Sequence, residues 1–182
     1  MNLESCFPFL TEKGHIVSLV GGGGKTTLMY AMASCCARKD WKVLATTTTH
    51  IMKPPGGVWA DNNAARDALW ADGSYAVAGS AAPEGKLTVP PAQLLTRWME
   101  LADLTLIEAD GAKRMPCKAP AAHEPVILPQ CDTVLAVAGL SALGRPLEKV
   151  CFRAELAAGL LGAPLDAALT PELLAELLAS EQ

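Results

Sequence analysis

The stretch Ile16-Val17-Ser18-Leu19-Val20-Gly21-Gly22-Gly23-Gly24-Lys25-Thr26-Thr27 decides how the rest of the chain is read. An apolar run of strand character ends in four glycines. A lysine and two threonines follow, and then a segment with helical periodicity. Glycine lets a backbone turn sharply and approach a ligand closely. A helix N-terminus presents unpaired N–H groups and a partial positive charge. Strand, glycine turn, Lys-Thr and helix together make an anion cradle, whose usual occupant is a nucleotide phosphate. Gly21, Gly22, Gly23, Gly24, Lys25, Thr26 and Thr27 are therefore the candidate nucleotide-binding residues. A plain structural turn would rarely need four glycines, given their entropic cost.

The loop departs from the long consensus G-x-x-x-x-G-K-[ST], which would place its first glycine where this chain has Leu19. It reads instead as the shorter G-x-x-G-K-T-T, closer to the loop of Mur-type ligases. Val20 stands where MinD-like ATPases carry a further lysine.

The second informative stretch is Leu104-Thr105-Leu106-Ile107-Glu108-Ala109-Asp110-Gly111. Glu108 and Asp110 point to one side if the strand persists. A carboxylate at the end of a buried strand beside a phosphate loop is the usual Mg²⁺ partner. Asp110 with the Thr26 hydroxyl is the expected metal pair. The remaining carboxylate would orient a water or accept a proton. Lys113 and Arg114 follow directly, suited to neutralising charge on a transferred phosphoryl group or to binding an anionic substrate. The plain alternative is a solvated basic loop.

Thr46-Thr47-Thr48-Thr49-His50-Ile51 closes the second strand. In open α/β sheets ligands bind beyond the carboxyl ends of strands, which makes Thr48, Thr49 and His50 candidate contacts to phosphate, metal or substrate. The alternative is a simple run of β-branched strand residues.

Strands are expected over 15–20, 41–46, 75–79, 86–89, 104–109 and 133–138. Helices are expected over 26–39, 62–71, 90–101, 152–161 and 171–178. Leu28, Met32, Cys35 and Cys36 should face the sheet. Segments 52–60, 112–130 and 139–147 read as loops, marked by Pro and Gly. Nearly continuous apolar strands alternating with helices predict a mainly parallel central sheet. The expected fold is a single α/β domain over 1–182, three-layered and P-loop NTPase-like. Its inventory lacks the last strand–helix pair usual in such sheets, and no N-K-x-D motif reads the base.

The chain has 182 residues, 51 % hydrophobic and 19 % charged, with a net charge of -4. No basic block argues for nucleic acid as partner, and no apolar run approaches the ~20 residues that span a bilayer. The N-terminal residues lack the pattern of a signal peptide, so a cytoplasmic protein with no membrane partner is expected. None of the six cysteines forms C-x-x-C. Cys117, close to Lys113, Arg114 and Lys118, is expected to have a depressed pKa.

Three blocks together resemble one family: 18–27, then 45–51, then Glu108-Ala109-Asp110-Gly111-Ala112-Lys113-Arg114 continuing through Lys118-Ala119-Pro120 to His123-Glu124-Pro125. The set is similar to the selenium-dependent hydroxylase accessory protein family, YqeC. The Gly139 to Leu147 loop also fits. The resemblance adds Lys118, His123 and Glu124 to the substrate or partner residues. It implies a P-loop nucleotide-binding fold with ATP or GTP and Mg²⁺. It also implies a role in maturing a molybdenum hydroxylase or its selenium-bearing cofactor, with no established reaction. Family members are generally longer. Two other readings stand beside nucleotide hydrolysis: a non-catalytic partner of the hydroxylase switched by nucleotide, and a Mur-type ATP-dependent ligase or transferase.

Overall fold

In the computed structural model, which describes residues 3–180, the chain forms eleven strands and seven α-helices. The strands are β1 (His15–Gly21), β2 (Val43–Thr47), β3 (His50–Met52), β4 (Trp59–Ala60), β5 (Ala76–Ala78), β6 (Ser80–Ala82), β7 (Lys86–Thr88), β8 (Leu104–Glu108), β9 (Cys117–Lys118), β10 (Thr133–Val137) and β11 (Cys151–Phe152). The helices are α1 (Leu3–Cys6), α2 (Lys25–Ala37), α3 (Asn63–Ala71), α4 (Ala92–Leu101), α5 (Leu147–Val150), α6 (Ala154–Leu161) and α7 (Pro171–Ala179).

The central sheet has six strands in the order β10-β1-β8-β2-β5-β4, and every pairing in it is parallel. Both faces of a parallel sheet are covered, so its strands are apolar on both sides. Alternate residues feed two cores. Val17, Leu19, Val43, Ala45, Leu104 and Leu106 pack with Met29, Met32 and Cys36 of α2. Leu44, Ala76 and Ala78 pack with Leu95, Trp98 and Met99 of α4, and Leu69 of α3 joins them. The result is helix, sheet and helices in three layers.

The phase of α2 differs from the expected one. Its buried residues are Lys25, Met29, Met32, Ala33, Cys36 and Ala37, while Leu28 and Cys35 are only partly buried. Apolar residues run all round this helix, so the sequence offers no contrast from which a face could be read. Asn62 caps α3 by accepting from Ala65 N–H, and Thr170 caps α7 the same way through Leu173 N–H. Both caps hold a first-turn donor that helix geometry leaves without an internal partner.

Several short elements were not expected. The segment 52–60, read as loop, ends in β4 at the sheet edge. β7, which matches the strand expected over 86–89, is flanked by the unexpected β3 and β6 in a separate antiparallel sheet ordered β3-β7-β6. The loop 112–130 contains β9, which pairs in parallel with β11. The loop 139–147 tightens into a 3-10 turn at Leu140–Ala142 and runs into α5. These strands have two or three residues each, too few for a period to register. A third core gathers α5, α6 and α7 around Leu147, Val150, Ala157, Leu174 and Leu177. Among the described residues, nothing after β10 adds to the central sheet.

Candidate functional site

Parallel register sets the site. Glu108, the last residue of β8, stands opposite Leu19 of β1 on one side and Thr47 of β2 on the other. The glycine turn leaves β1 at the same carboxyl edge, and Lys25 opens α2. Gly24 is left-handed at φ 115° and caps the helix start, a conformation that glycine adopts without strain. Gly23, at φ +69°, has so little room that a Cβ would lie 2.1 Å from Gly139 N.

The N–H groups of the loop are unequally placed. Gly21 N–H donates to Asp110 Oδ2 at 3.0 Å. Gly22 N–H donates to Val137 O at 2.8 Å and Gly23 N–H to Met115 O at 3.0 Å. Three of the four glycines therefore spend their donors inside the protein. The first turn of α2, from Gly24 onward, is where helix geometry leaves N–H groups facing outward.

Thr26 Oγ1 donates to Glu108 Oε2 at 2.5 Å. The hydroxyl and the carboxylate thus meet at the helix start, as two hard oxygen donors. Burial pushes the Glu108 carboxyl above its ordinary pKa, and the Asp110 charge adds to the rise; the Thr26 hydrogen bond and Lys25 act against it. Asp110 lies elsewhere. Lys118 Nζ is 2.9 Å from its Oδ2 and Lys25 Nζ 3.0 Å from its Oδ1. The Lys25 contact is off the line of a hydrogen bond, so it acts as an ion pair. Lys25 Nζ also donates to Gly21 O at 2.5 Å. Behind Asp110 the network continues: Lys118 binds Glu124, and Arg153 Nη1 reaches Glu124 Oε2 at 3.2 Å.

The threonine run serves mainly as scaffold. Thr47, which sequence reasoning passed over, donates to Glu108 O at 2.9 Å and accepts from Thr49 N–H. Thr48 Oγ1 donates to Val126 O at 2.9 Å. Thr88 Oγ1 donates to Thr49 O at 3.0 Å and ties the small sheet to the end of β2.

A cleft of about 630 Å³ opens over the loop. It is lined by Gly23, Gly24, Lys25, Thr26 and Thr27 of the loop and helix start, and by Glu108 of β8. Lys113, Arg114 and Met115 line it too, as do His50, Met52 and Lys86 of the small sheet. Lys86 was missed because it reaches the cleft only through the β3–β7 pairing, some 36 residues on from His50. Gly21, Asp110, Lys118 and Glu124 line a second groove of about 450 Å³ on the far side of the loop. Gly22, Thr48, Thr49 and His123 line neither of these two spaces, and the His123 side chain is 76 % exposed.

The expected activation of Cys117 is corrected. Cys117 and Cys151 are register partners, both buried, and the hydrogen bond between their thiols, together with burial, raises the Cys117 pKa. Lys113 is turned instead toward the Phe152 ring, 5.1 Å from its centroid.

Comparison with known proteins adds three findings. The model of the YqeC protein family matches residues 17–155. A curated relative, the Uncharacterized protein YqeC of Escherichia coli (strain K12), is 36% identical over 137 residues, covering 71% of this chain and 53% of the relative. The chain thus spans about half the length of that relative. No solved structure matches. Among the described residues no helix is long and apolar enough to cross a membrane.

Proposed function

The chain belongs to the YqeC family, and from that premise we propose that it is a P-loop nucleotide-binding protein that holds ATP or GTP with Mg²⁺ and hydrolyses it. The observation that carries this reading is the Thr26–Glu108 contact at the start of the helix that follows the glycine turn. A hydroxyl and a carboxylate there match a hard cation that keeps most of its waters. Asp110, already facing two ammonium groups, is a poor ligand for a further cation, so the metal pair is Thr26 with Glu108.

The chain's own groups divide the work. The outward N–H groups of Gly24 and the first turn of α2 receive the phosphates, aided by the helix dipole. Lys25 neutralises charge that builds on the transferred phosphoryl group, and Asp110 with Gly21 O keeps its ammonium at the loop. Mg²⁺ held by Thr26 and Glu108 would supply charge neutralisation at the phosphates. Thr26 donates to one Glu108 oxygen, and Lys25 stands 4.0 Å from the other. Lys113 and Arg114 line the same cleft, suited to an anionic substrate beside the nucleotide. Hydrolysis serves the maturation of a molybdenum hydroxylase or its selenium-bearing cofactor, in keeping with the family resemblance.

The test is titration of pure protein with each triphosphate, with and without Mg²⁺, followed by phosphate release. Micromolar binding that depends on Mg²⁺ is expected. Lys25→Ala should weaken it by about 2 kcal/mol or more, the scale of a lost charge-assisted contact. Folded protein that binds neither nucleotide, or a Lys25→Ala variant that binds as well as wild type, would end the reading.

A further inference from the structure

Resting on the nucleotide reading, we infer that the cleft holds a second ligand beside the nucleotide, one that carries a phosphate or carboxylate, bound by the lining cations Lys86, Lys113 and Arg114. The charge balance of the cleft points this way. The chain as a whole is acidic at -4. Yet the cleft is lined by Lys25, Lys86, Lys113 and Arg114, with Glu108 as its one carboxylate. Like charges gathered in one concavity repel, and an anionic ligand relieves that cost. A phosphate tail on the loop already has Lys25 and the helix start. The other three cations lie outside that loop in sequence and come from two separate chain segments, one at β7 and one after β8.

Backbone strain gives an independent sign. Lys113 has φ 46° and Arg114 φ 64°, two successive non-glycine residues in the left-handed region. Glycine would hold such a turn without strain. A lysine and an arginine kept there signal that their side chains are used, since strain persists where function over-determines it. Both are exposed. Lys113 is steadied by the Phe152 ring. Lys86 is paired with Glu84, 2.6 Å away and 76 % exposed, a surface contact that an oxyanion displaces easily. His50 stands on the strand paired with that of Lys86, opposite Thr88, and lines the same cleft. Arginine's planar fork suits bidentate capture of phosphate or carboxylate.

The experiment uses the whole chain saturated with a non-hydrolysable triphosphate analogue and Mg²⁺, titrated by calorimetry with inorganic phosphate and, separately, with succinate. Saturable uptake of one of the two by the loaded protein is expected. Phosphate alone assigns a phosphate-bearing ligand and succinate alone a carboxylate. In Lys86→Ala and Arg114→Ala the affinity for that anion should fall by about tenfold or more, and by clearly more than the affinity for the triphosphate. Loaded wild type that takes up neither anion overturns the inference and leaves the nucleotide reading standing. So do variants that lose triphosphate and anion affinity equally, because the cations then belong to the nucleotide. Wild type that binds no triphosphate overturns both.

Discussion

The two sides of the glycine loop use the same chemistry to opposite ends. On the cleft side, Glu108 receives one hydroxyl, from Thr26, and lines an open space. On the far side, two residues on, Asp110 is closed in by Lys25, Lys118 and the Gly21 N–H. Both carboxylates are nearly fully buried. Their partners separate them. Glu108 has one ammonium nearby, Lys25 Nζ at 4.0 Å from Oε1, and so keeps room for a cation, whereas a carboxylate between two ammonium groups at 3.0 Å or less is committed to structure. Sequence proximity to a phosphate loop does not by itself assign a role, since the backbone turn after β8 sends each side chain to a different neighbourhood.

Asp110→Ala is the strongest way to break this comparison. It takes one of two carboxylates from Lys118, whose side chain is 1 % exposed and keeps Glu124, and leaves Lys25, at 4 %, with Gly21 O and Glu108 4.0 Å away. Removing one partner of a buried ion network costs up to about 3–5 kcal/mol, so the urea midpoint should fall. Glu108→Gln should leave folding stability nearly intact or higher while weakening Mg²⁺-dependent nucleotide binding. If both substitutions unfold the protein alike, the distinction between the two sides fails. Next in size is Gly23→Ala, which sets a Cβ 2.1 Å from Gly139 N at a positive φ. A loss of about 1–3 kcal/mol in thermal or chemical denaturation is expected from strain and forced backbone shift. Thr47→Val removes the hydroxyl that holds Glu108 O and Thr49 N–H. Two unmade bonds at a buried position should cost about 1–2 kcal/mol, and an unchanged stability would show that the strand ladder alone fixes Glu108.

The pH dependence sharpens the contrast at the smallest scale. Burial raises the Glu108 pKa in the folded protein, so the folded state holds that proton more tightly than the unfolded chain. Its contribution is then most favourable below the ordinary glutamate pKa and is lost as pH rises through the raised one. Glu124 runs the other way. Burial opposes ionisation, but the hydrogen bonds and charges of Lys118 and Arg153 outweigh it and lower the pKa. Its contribution is present above the ordinary value and is lost as pH falls through the lowered one. Stability measured against pH for Glu108→Gln and Glu124→Gln should differ from wild type with opposite slopes, and slopes of one sign would refute the assignment.

Much of the central sheet was legible because buried parallel strands are apolar nearly throughout, so β1 and β8 stand out of the sequence; β10 is apolar too, although it lies at the sheet edge with Val134 exposed. Their order was not. Nothing local says that β8 lies between β1 and β2, although that placement brings Glu108 to the loop. The strand over 86–89 was legible, but its partners β3 and β6 were hidden because a three-residue strand has no period, and with them the place of Lys86 in the cleft. The glycine turn, Lys25, Thr26 and Glu108 could be found because their chemistry is local and their types are few. Lys118 and Arg153 could not be given their places, since a buried ion network depends on which distant loops are folded together. The left-handed backbone at Lys113 and Arg114 has no sequence signal at all, since neither residue favours it.

The contacts that shape the glycine turn also bear on how the protein is made. Residues 21–24 are synthesised well before the segments the turn leans on, Met115, Val137 and Gly139. Among the described residues β1 gains its neighbours from β8 and β10. Such pairings close loops of many tens of residues, which carries an entropic cost and slows folding. A nascent chain therefore carries the motif in an unshaped form until Gly139 has emerged. Chains cut short of β10 will contain the whole Gly-Lys-Thr motif and lack the wall against which it is moulded.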